Sequence, residues 1–155
     1  MVVQSLGENY GAWGILLLAA MPVIELKGAI PLAIGLGYDV LTAFMLSYVG
    51  SILPCIPILR LYTIIISYMH GHQPWDRIAR WIDSRVEKNR TRIDRYGLWG
   101  LFIFVLIPAP GTGVWTGSAI AAVLRMPFIP AMLAIILGNL AAGLIVLLFS
   151  VHVLA

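Results

Sequence analysis

Ile107-Pro108-Ala109-Pro110-Gly111-Thr112-Gly113 interrupts an uncharged stretch that runs from Tyr96 to Leu124. Two prolines and two glycines packed this closely end any α-helix that enters from either side. Each proline removes a backbone donor, and Pro110 also disfavours the α conformation at Ala109. The apolar pieces that remain, 97–107 and 114–124, are each about half of the ~20 residues that a straight membrane crossing needs. A second interruption of the same kind lies at Met21-Pro22-Val23-Ile24-Glu25-Leu26-Lys27, between apolar pieces 11–21 and 28–37. There, ionisable residues fall where the centre of a bilayer would be.

The whole chain has the composition that such segments require. Of its 155 residues, 61% are hydrophobic and 11% charged, whereas a soluble domain carries about 25% charged residues. A water-soluble chain this short has too much surface for its volume to hide that much apolar area. A soluble enzyme or nucleic-acid-binding module is therefore excluded, and an all-α integral membrane protein remains. The single cysteine, Cys55, excludes an internal disulfide framework and a cysteine-based zinc site. No Ser/His/Asp grouping, zinc signature, phosphate loop or dinucleotide fingerprint occurs, so the reading is a non-enzyme with no cofactor and no metal. Met1–Tyr10 holds Glu8 and no basic residue. It lacks the positive start of a signal peptide, and the apolar stretch after it is expected to be retained.

The charge is concentrated in one place. Between Trp75 and Tyr96 lie Arg77, Arg80, Arg85, Lys88, Arg90, Arg92 and Arg95 against Asp76, Asp83, Glu87 and Asp94. The rest of the chain holds only Lys27, Arg60 and Arg125 against Glu8, Glu25 and Asp39. The positive-inside rule places 75–96 in the cytoplasm. Trp75, Ile78, Ile82, Val86, Ile93 and Tyr96 recur at helical spacing, so the connector reads as an amphipathic helix lying on the membrane. Its plain role is a topology anchor, and its functional alternative is a surface that gathers lipid or substrate.

Around this connector the chain divides into two similar halves. Residues 10–37 form an interrupted stretch followed by a long apolar helix over 40–69, in which Pro54 and Pro57 predict a kink. After the connector at 74–96, residues 97–124 are interrupted again, and 127–153 form the second long helix. The breaks, near 24 and 110, lie about 86 residues apart. Each interrupted stretch is either one kinked span or a re-entrant hairpin that enters and leaves by the same face. Paired Gly/Pro-broken segments in corresponding places favour the hairpin reading and point to a transporter site at the repeat interface. With a hairpin and one crossing per half, the halves have opposite orientation, and both termini lie outside.

Glu25 and Lys27 are the foremost candidates, because ionisable groups at membrane depth are costly and functional by default. Glu25 is expected to accept a proton or cation, and Lys27 to contact an anion. Alternatively they pair with each other, or with Arg60, and hold the hairpin. At the second break, Pro108, Pro110, Gly111 and Gly113 allow close backbone approach, Thr112 and Thr116 supply hydroxyls, and the helix starting near Gly113 points its amides at the break. Arg60 lies within apolar sequence and either binds an anionic headgroup or snorkels to the interface. Asn139 and Ser51, beside Gly138 and Gly50, read as helix-packing positions. His70 and His72 read as interface residues.

Pro22-Val23-Ile24-Glu25-Leu26-Lys27-Gly28-Ala29-Ile30-Pro31, taken with Pro108-Ala109-Pro110-Gly111-Thr112-Gly113-Val114-Trp115-Thr116-Gly117, resembles the small multidrug export protein family over about residues 10–150. That family is distantly similar to the DedA/VTT (SNARE-associated Golgi) superfamily. The resemblance implies a transporter or lipid translocase in a bacterial or archaeal cytoplasmic membrane. It adds Gly28, Trp115 and Gly117 to the candidate site, and a polyprenyl phosphate or phospholipid as substrate. This chain lacks the acidic, arginine-rich second-half signature of DedA proteins proper.

The expected function is thus a small transporter with an inverted repeat and a site between two hairpin tips, moving an amphipathic anion and coupled to protons through Glu25. An exporter of hydrophobic cations is the alternative, with Glu25 as counter-charge and Trp13, Trp99 or Trp115 giving cation–π contacts. A non-transporting membrane scaffold is the third. Two full crossings enclose little area, so the expected partners are membrane lipids, an amphipathic substrate and a second copy of the chain in a homodimer, with no nucleic acid.

Overall fold

The computed structural model describes residues 2–73, 75–88, 90–109 and 111–154, and every regular element among them is helical. The helices are α1 (Val2–Ala20), α2 (Glu25–Gly35), α3 (Val40–Ile52), α4 (Cys55–His70), α5 (Trp75–Lys88), α6 (Arg90–Leu106), α7 (Val114–Val123) and α8 (Phe128–Leu154). Two stretches are long and apolar enough to cross a membrane, Val40–Leu61 with 22 residues and Phe128–Val153 with 26. Three shorter apolar helices, Gly11–Ala20, Arg95–Leu106 and Val114–Val123, span about 15 to 18 Å each at the α-helical rise.

Exposed faces are apolar in the way that lipid, not water, requires. Along α8 the outward residues are Ile129, Leu133, Leu137, Leu144 and Leu148, and along α3 they are Leu41, Met45 and Val49. Both sets recur at helical spacing. Trp13 and Trp99 point outward as well, at 72% and 68% exposure. Apolar stripes of this extent are the outer surface of a membrane protein. The buried side of the same helices is lined by small residues. Ala43, Ser47, Gly50 and Ser51 on α3 and Ala131, Ala134, Gly138 and Asn139 on α8 are all buried.

Packing follows a crossed pattern. The arm before each break lies against the long helix of its own half, α1 on α3 and α6 on α8. The arm after each break also reaches the other half, α2 on α8 and α7 on α4. Gly50 is the seat for α1: a Cβ there would collide with the Leu16 carbonyl and stand 2.9 Å from the Ala19 Cβ. Gly138 is the seat for α6: a Cβ there would stand 2.8 Å from the Phe102 carbonyl and 3.0 Å from the Val105 Cβ. The long helices themselves are joined where equivalent positions meet. Asn139 Nδ2 donates to Ser51 Oγ at 2.8 Å, and the Tyr48 hydroxyl donates to the Ile136 carbonyl at 3.1 Å, both pairs 88 residues apart.

The same turn closes α2 and α7. Tyr38 N–H bonds the Ala33 carbonyl and Gly37 N–H the Ile34 carbonyl, while Met126 and Arg125 repeat this on Ala121 and Ala122. In each case the residue after the C-cap is left-handed, Gly37 at φ 90° and Arg125 at φ 51°, as this helix ending requires. Asp39 then caps α3, accepting from Thr42 N–H at 2.9 Å. Bonds from the Thr42 hydroxyl and amide hold the exposed Asp39 carboxyl below the usual carboxylate range.

One boundary differs from the sequence expectation. The helix expected over 40–69, with a kink at its prolines, is divided at Leu53 and Pro54, because Pro54 and Pro57 bring no donors for the Gly50 and Leu53 carbonyls and the chain restarts as α4 with Pro54 as its cap. The connector expected as one helix over 74–96 is helical over Trp75–Lys88 and again from Arg90, and residues 90–96 continue directly into the apolar arm of α6, with Asn89 outside the described residues. Trp75, Ile78 and Trp81 of the connector are exposed and Ala79 is buried, whereas the side chains of Ile82, Val86 and Ile93 lie outside the described ones. Asp76 pairs with Arg80 at 2.6 Å and with His70 at 3.5 Å, fixing α5 to the end of α4. Helix α1 is interrupted at Gly11, whose φ of 53° separates Val2–Tyr10 from the apolar arm, where the sequence pattern starts that arm.

Gly50→Ala and Gly138→Ala are each expected to cost about 1–3 kcal/mol, because a methyl there pushes against backbone. Gly100→Ala, with nothing within 4 Å of the added carbon, is expected to be neutral or stabilising. Thermal unfolding of the three variants in one detergent checks the contrast. A double-mutant cycle on Ser51 and Asn139 is expected to give a coupling of about 0.6–1.7 kcal/mol, the range of hydrogen bonds between membrane helices.

Candidate functional site

The two breaks touch. The chain leaves the α-helix at Met21–Ile24 and re-enters it at Glu25, three residues earlier than the sequence pattern predicts. Glu25 and Lys27 therefore belong to the first turn of α2. The tight re-entry holds Glu25 at φ 47°, a left-handed conformation that costs a non-glycine residue about 1–3 kcal/mol and that accumulates at functional sites. Pro31 lies inside α2 and brings no N–H for the Lys27 carbonyl one turn back.

From this turn Lys27 reaches across to the second break. Its Nζ donates to the Ala109 carbonyl at 2.8 Å, to the Thr112 carbonyl, and to Thr112 Oγ1 at 3.2 Å. Glu25 Oε2 stands 3.7 Å from the same ammonium. The other carboxylate oxygen accepts the Trp115 backbone N–H at 3.3 Å, so the amino end of α7 carries the negative charge that its free amides favour. Thr112 Oγ1 lies 2.6 Å from the Ile107 carbonyl and 2.8 Å from the Ala109 carbonyl, and it accepts the Ala109 N–H at 3.2 Å. This hydroxyl staples the loop. Trp115 Nε1 completes the contact by donating to the Ala20 carbonyl at 3.0 Å.

Gly113 is required twice. Its φ is 137°, and a Cβ would collide with the Glu25 carboxylate. Gly111 at φ 83° makes the other turn of the loop.

The breaks leave an open cleft of about 480 Å³ lined by Pro22, Val23, Ile24, Glu25, Lys27, Gly28, Pro108, Ala109, Gly111, Thr112 and Thr116. Of the candidates from sequence, Glu25, Lys27, Gly28, Pro108, Gly111, Thr112 and Thr116 thus meet at one place, and Gly113 and Trp115 do not line it but lie against Glu25. Gly117 does not line the cleft: it is buried, and a Cβ there would stand 2.6 Å from Val105. Pro110 lies outside the described residues. Arg60 sits elsewhere, exposed, with its guanidinium 5.4 Å from the centre of the Phe128 ring. Pairing of Arg60 with Glu25 is replaced by the Glu25–Lys27 pair itself. Ala109 was absent from the candidates. Its side chain carries no chemistry, and its carbonyl becomes a ligand only through the fold. Among the described residues no group of three His, Cys, Asp or Glu is placed to hold a metal.

Chemically the cleft is a ring of oxygens around one ammonium. Of the anion-binding groups that the sequence suggests, the Lys27 head is engaged by backbone carbonyls and Glu25, and the Trp115 amide of α7 by Glu25.

The chain matches no curated protein and no solved structure. A family model described as putative small multi-drug export protein matches residues 25–145, from the strained glutamate of the first break to the last third of α8, and its name denotes export across a membrane. The protein is an all-helical membrane protein that belongs to this family.

Proposed function

We propose that the chain is a small membrane transporter whose site is the cleft between the two helix breaks, and that it exports amphipathic cations. The carrying observation is that Lys27 of the first break is held by Ala109 and Thr112 of the second, beside Glu25. An ammonium group thus sits in a nest of acceptors between the two breaks. Such a nest suits a cationic head better than the lipid phosphate expected from sequence, whose oxygens would face carbonyls and a carboxylate. Trp13 and Trp99, on the outer surface, take no part. Trp115 is the aromatic residue at the site.

The proposed architecture is an inverted repeat of two units, each a re-entrant hairpin followed by a long crossing. Four features support it. The short arms are about half a membrane long. The crossed packing exchanges the second arm of each unit. The closing turns at Gly37 and Arg125 are the same, and contacts at an 88-residue offset join the halves. Irregular backbone inside a bilayer must be buried in protein or line a wet cavity, and both breaks do so. In this arrangement residues 75–96 lie in the cytoplasm with the termini outside. Alternating access is a rocking of one unit against the other about the breaks. Glu25 is the group at the site that can exchange a proton for the cation.

Single cysteines in a Cys55→Ser background test the topology. A cysteine replacing His72 is expected to react with an impermeant maleimide from the cytoplasmic side, and cysteines replacing Val2 and Val153 from outside. Reaction of all three from one side overturns the hairpins. In proteoliposomes, dimethyldodecylammonium is expected to be transported in preference to dodecyl phosphate. Glu25→Gln is expected to lower this flux at least tenfold and to remove its pH dependence, as expected of a functional intramembrane acid. A bismaleimide bridging cysteines at Gly28 and Thr112 is expected to block flux. Unchanged flux in both variants excludes the cleft as the pathway.

A further inference from the structure

The nest that marks the site is already full. Lys27 directs its Nζ at two carbonyls and one hydroxyl of the second break, with the Glu25 carboxylate completing the shell. This is the coordination that a substrate ammonium would need, and a tethered side chain of the protein supplies the cation. Lys27 is also the charged group that binds the carbonyls of the second break. Whatever takes its place in the nest removes these bonds between the breaks and so loosens the contact, beside which the bonds of Trp115 to Glu25 and Ala20 stay.

We propose that the Lys27 ammonium is a tethered stand-in for the substrate's cationic head, so that a protonated amine with N–H donors enters the nest by displacing it and thereby unlatches the two breaks. The inference rests on the transporter reading above and adds the mode of entry, the preference for N–H-bearing heads, and the trigger for opening.

Exchange has a physical advantage over simple addition. An ion brought into a site of low polarity loses its hydration, and a buried carboxylate left alone is strongly disfavoured. When one N–H-bearing ammonium replaces another, Glu25 still faces one positive charge, and the ring of acceptors receives one bond for each N–H that the incoming head brings. The electrostatic cost on the two sides of the exchange nearly cancels. The apolar tail of the substrate in the cleft then decides the outcome, since each buried methylene contributes about 0.8 kcal/mol. The displaced head needs no dry route, because the Lys27 side chain is 21% exposed and already borders the open cleft. A small inorganic cation lacks a tail, so it gains nothing from the cleft to offset Lys27 at the high effective concentration of a tethered group.

The preference among heads follows from the shell. Donor–acceptor distances of 2.8–3.2 Å are those of N–H···O bonds. A tertiary ammonium retains one N–H to offer, while a quaternary ammonium presents only methyl groups. Two detergents with the same tail, dimethyldodecylammonium and trimethyldodecylammonium, therefore separate hydrogen-bonded exchange from mere hydrophobic binding.

The test uses the full-length protein in lipid nanodiscs at a fixed pH. The sequence contains two lysines, Lys27 and Lys88, so reductive methylation read by mass spectrometry reports Lys27 with Lys88 as internal reference, and neither ligand has an amine that the reagent can alkylate. Dimethyldodecylammonium is expected to raise Lys27 labelling relative to Lys88 at least fivefold, and trimethyldodecylammonium less than twofold, by differential release of the nest. In Lys27→Met the nest is vacant, and dimethyldodecylammonium is expected to bind about tenfold more tightly than to the wild type, as removal of a tethered competitor predicts. Binding and transport of the tertiary amine without any rise in Lys27 labelling overturns the exchange while leaving the transporter reading intact. Equal labelling with both detergents, or weaker binding to Lys27→Met, overturns it as well. No binding of either cation to the wild type or to Lys27→Met overturns both readings, and Lys27-dependent binding of dodecyl phosphate overturns the cationic substrate.

Discussion

A helix broken inside a bilayer exposes peptide groups that no solvent satisfies, and here each break supplies what the other lacks. The second break loses donors at its prolines and is left rich in carbonyls. The first break supplies the three N–H bonds of Lys27 to that excess, at Ala109 and Thr112. In return, the amide at the start of α7 that has no helical acceptor is taken by Glu25. The charges balance within the exchange, since Glu25 and Lys27 face each other at 3.7 Å. Each break thus satisfies polar groups of the other, and these bonds hold the two halves together at the cleft.

Everything around the contact serves to bring two backbones that close. Gly113 leaves room for a carboxylate where any side chain would stand, and Gly50 and Gly138 let the first arms settle onto the long helices at backbone distance. Lipid offers no hydrophobic drive for helices to associate, so close approach through small residues and a few buried polar bonds must hold them. Asn139 with Ser51 supplies one such bond in the buried seam. Glu25 shows the complementary expense: its left-handed backbone is retained because the surrounding contacts determine it more strongly than its own preference does.

Much of this was legible in the chain, for reasons that differ from residue to residue. The breaks were visible because proline and glycine act locally, on their own φ and on the donor one turn away. The connector was visible because its arginines stand apart from everything else. Ala109 and the unlatched amide of Trp115 were invisible, since a backbone group becomes a ligand only when a residue 82 or 90 positions away reaches it. Arg60 misled for a related reason. Its apolar neighbours suggested membrane depth, but the chain turns at Leu53–Pro54 and carries it away from the breaks to the ring of Phe128. Arg125 hid a structural role behind its charge: it occupies the left-handed position that Gly37 fills in the first half.

A latch made of one ammonium in a ring of oxygens has a consequence for motion. Rocking two rigid units apart means removing Lys27 from Ala109 and Thr112, and with nothing in its place the carbonyls and Glu25 would be stranded in a medium that hydrates them poorly. In the proposed transport cycle the closed arrangement is therefore favoured in the absence of cargo, by the same term that makes broken helices costly. A ligand shifts such an equilibrium only through a difference in its affinity for the two states. An incoming cation that satisfies the ring while leaving Lys27 free has that difference built in, because it removes the penalty that keeps the units together. In the proposed arrangement, the proline and glycine breaks thus provide more than a permissive turn. They create the unsatisfied backbone whose satisfaction alternates between the protein's own lysine and the molecule it carries.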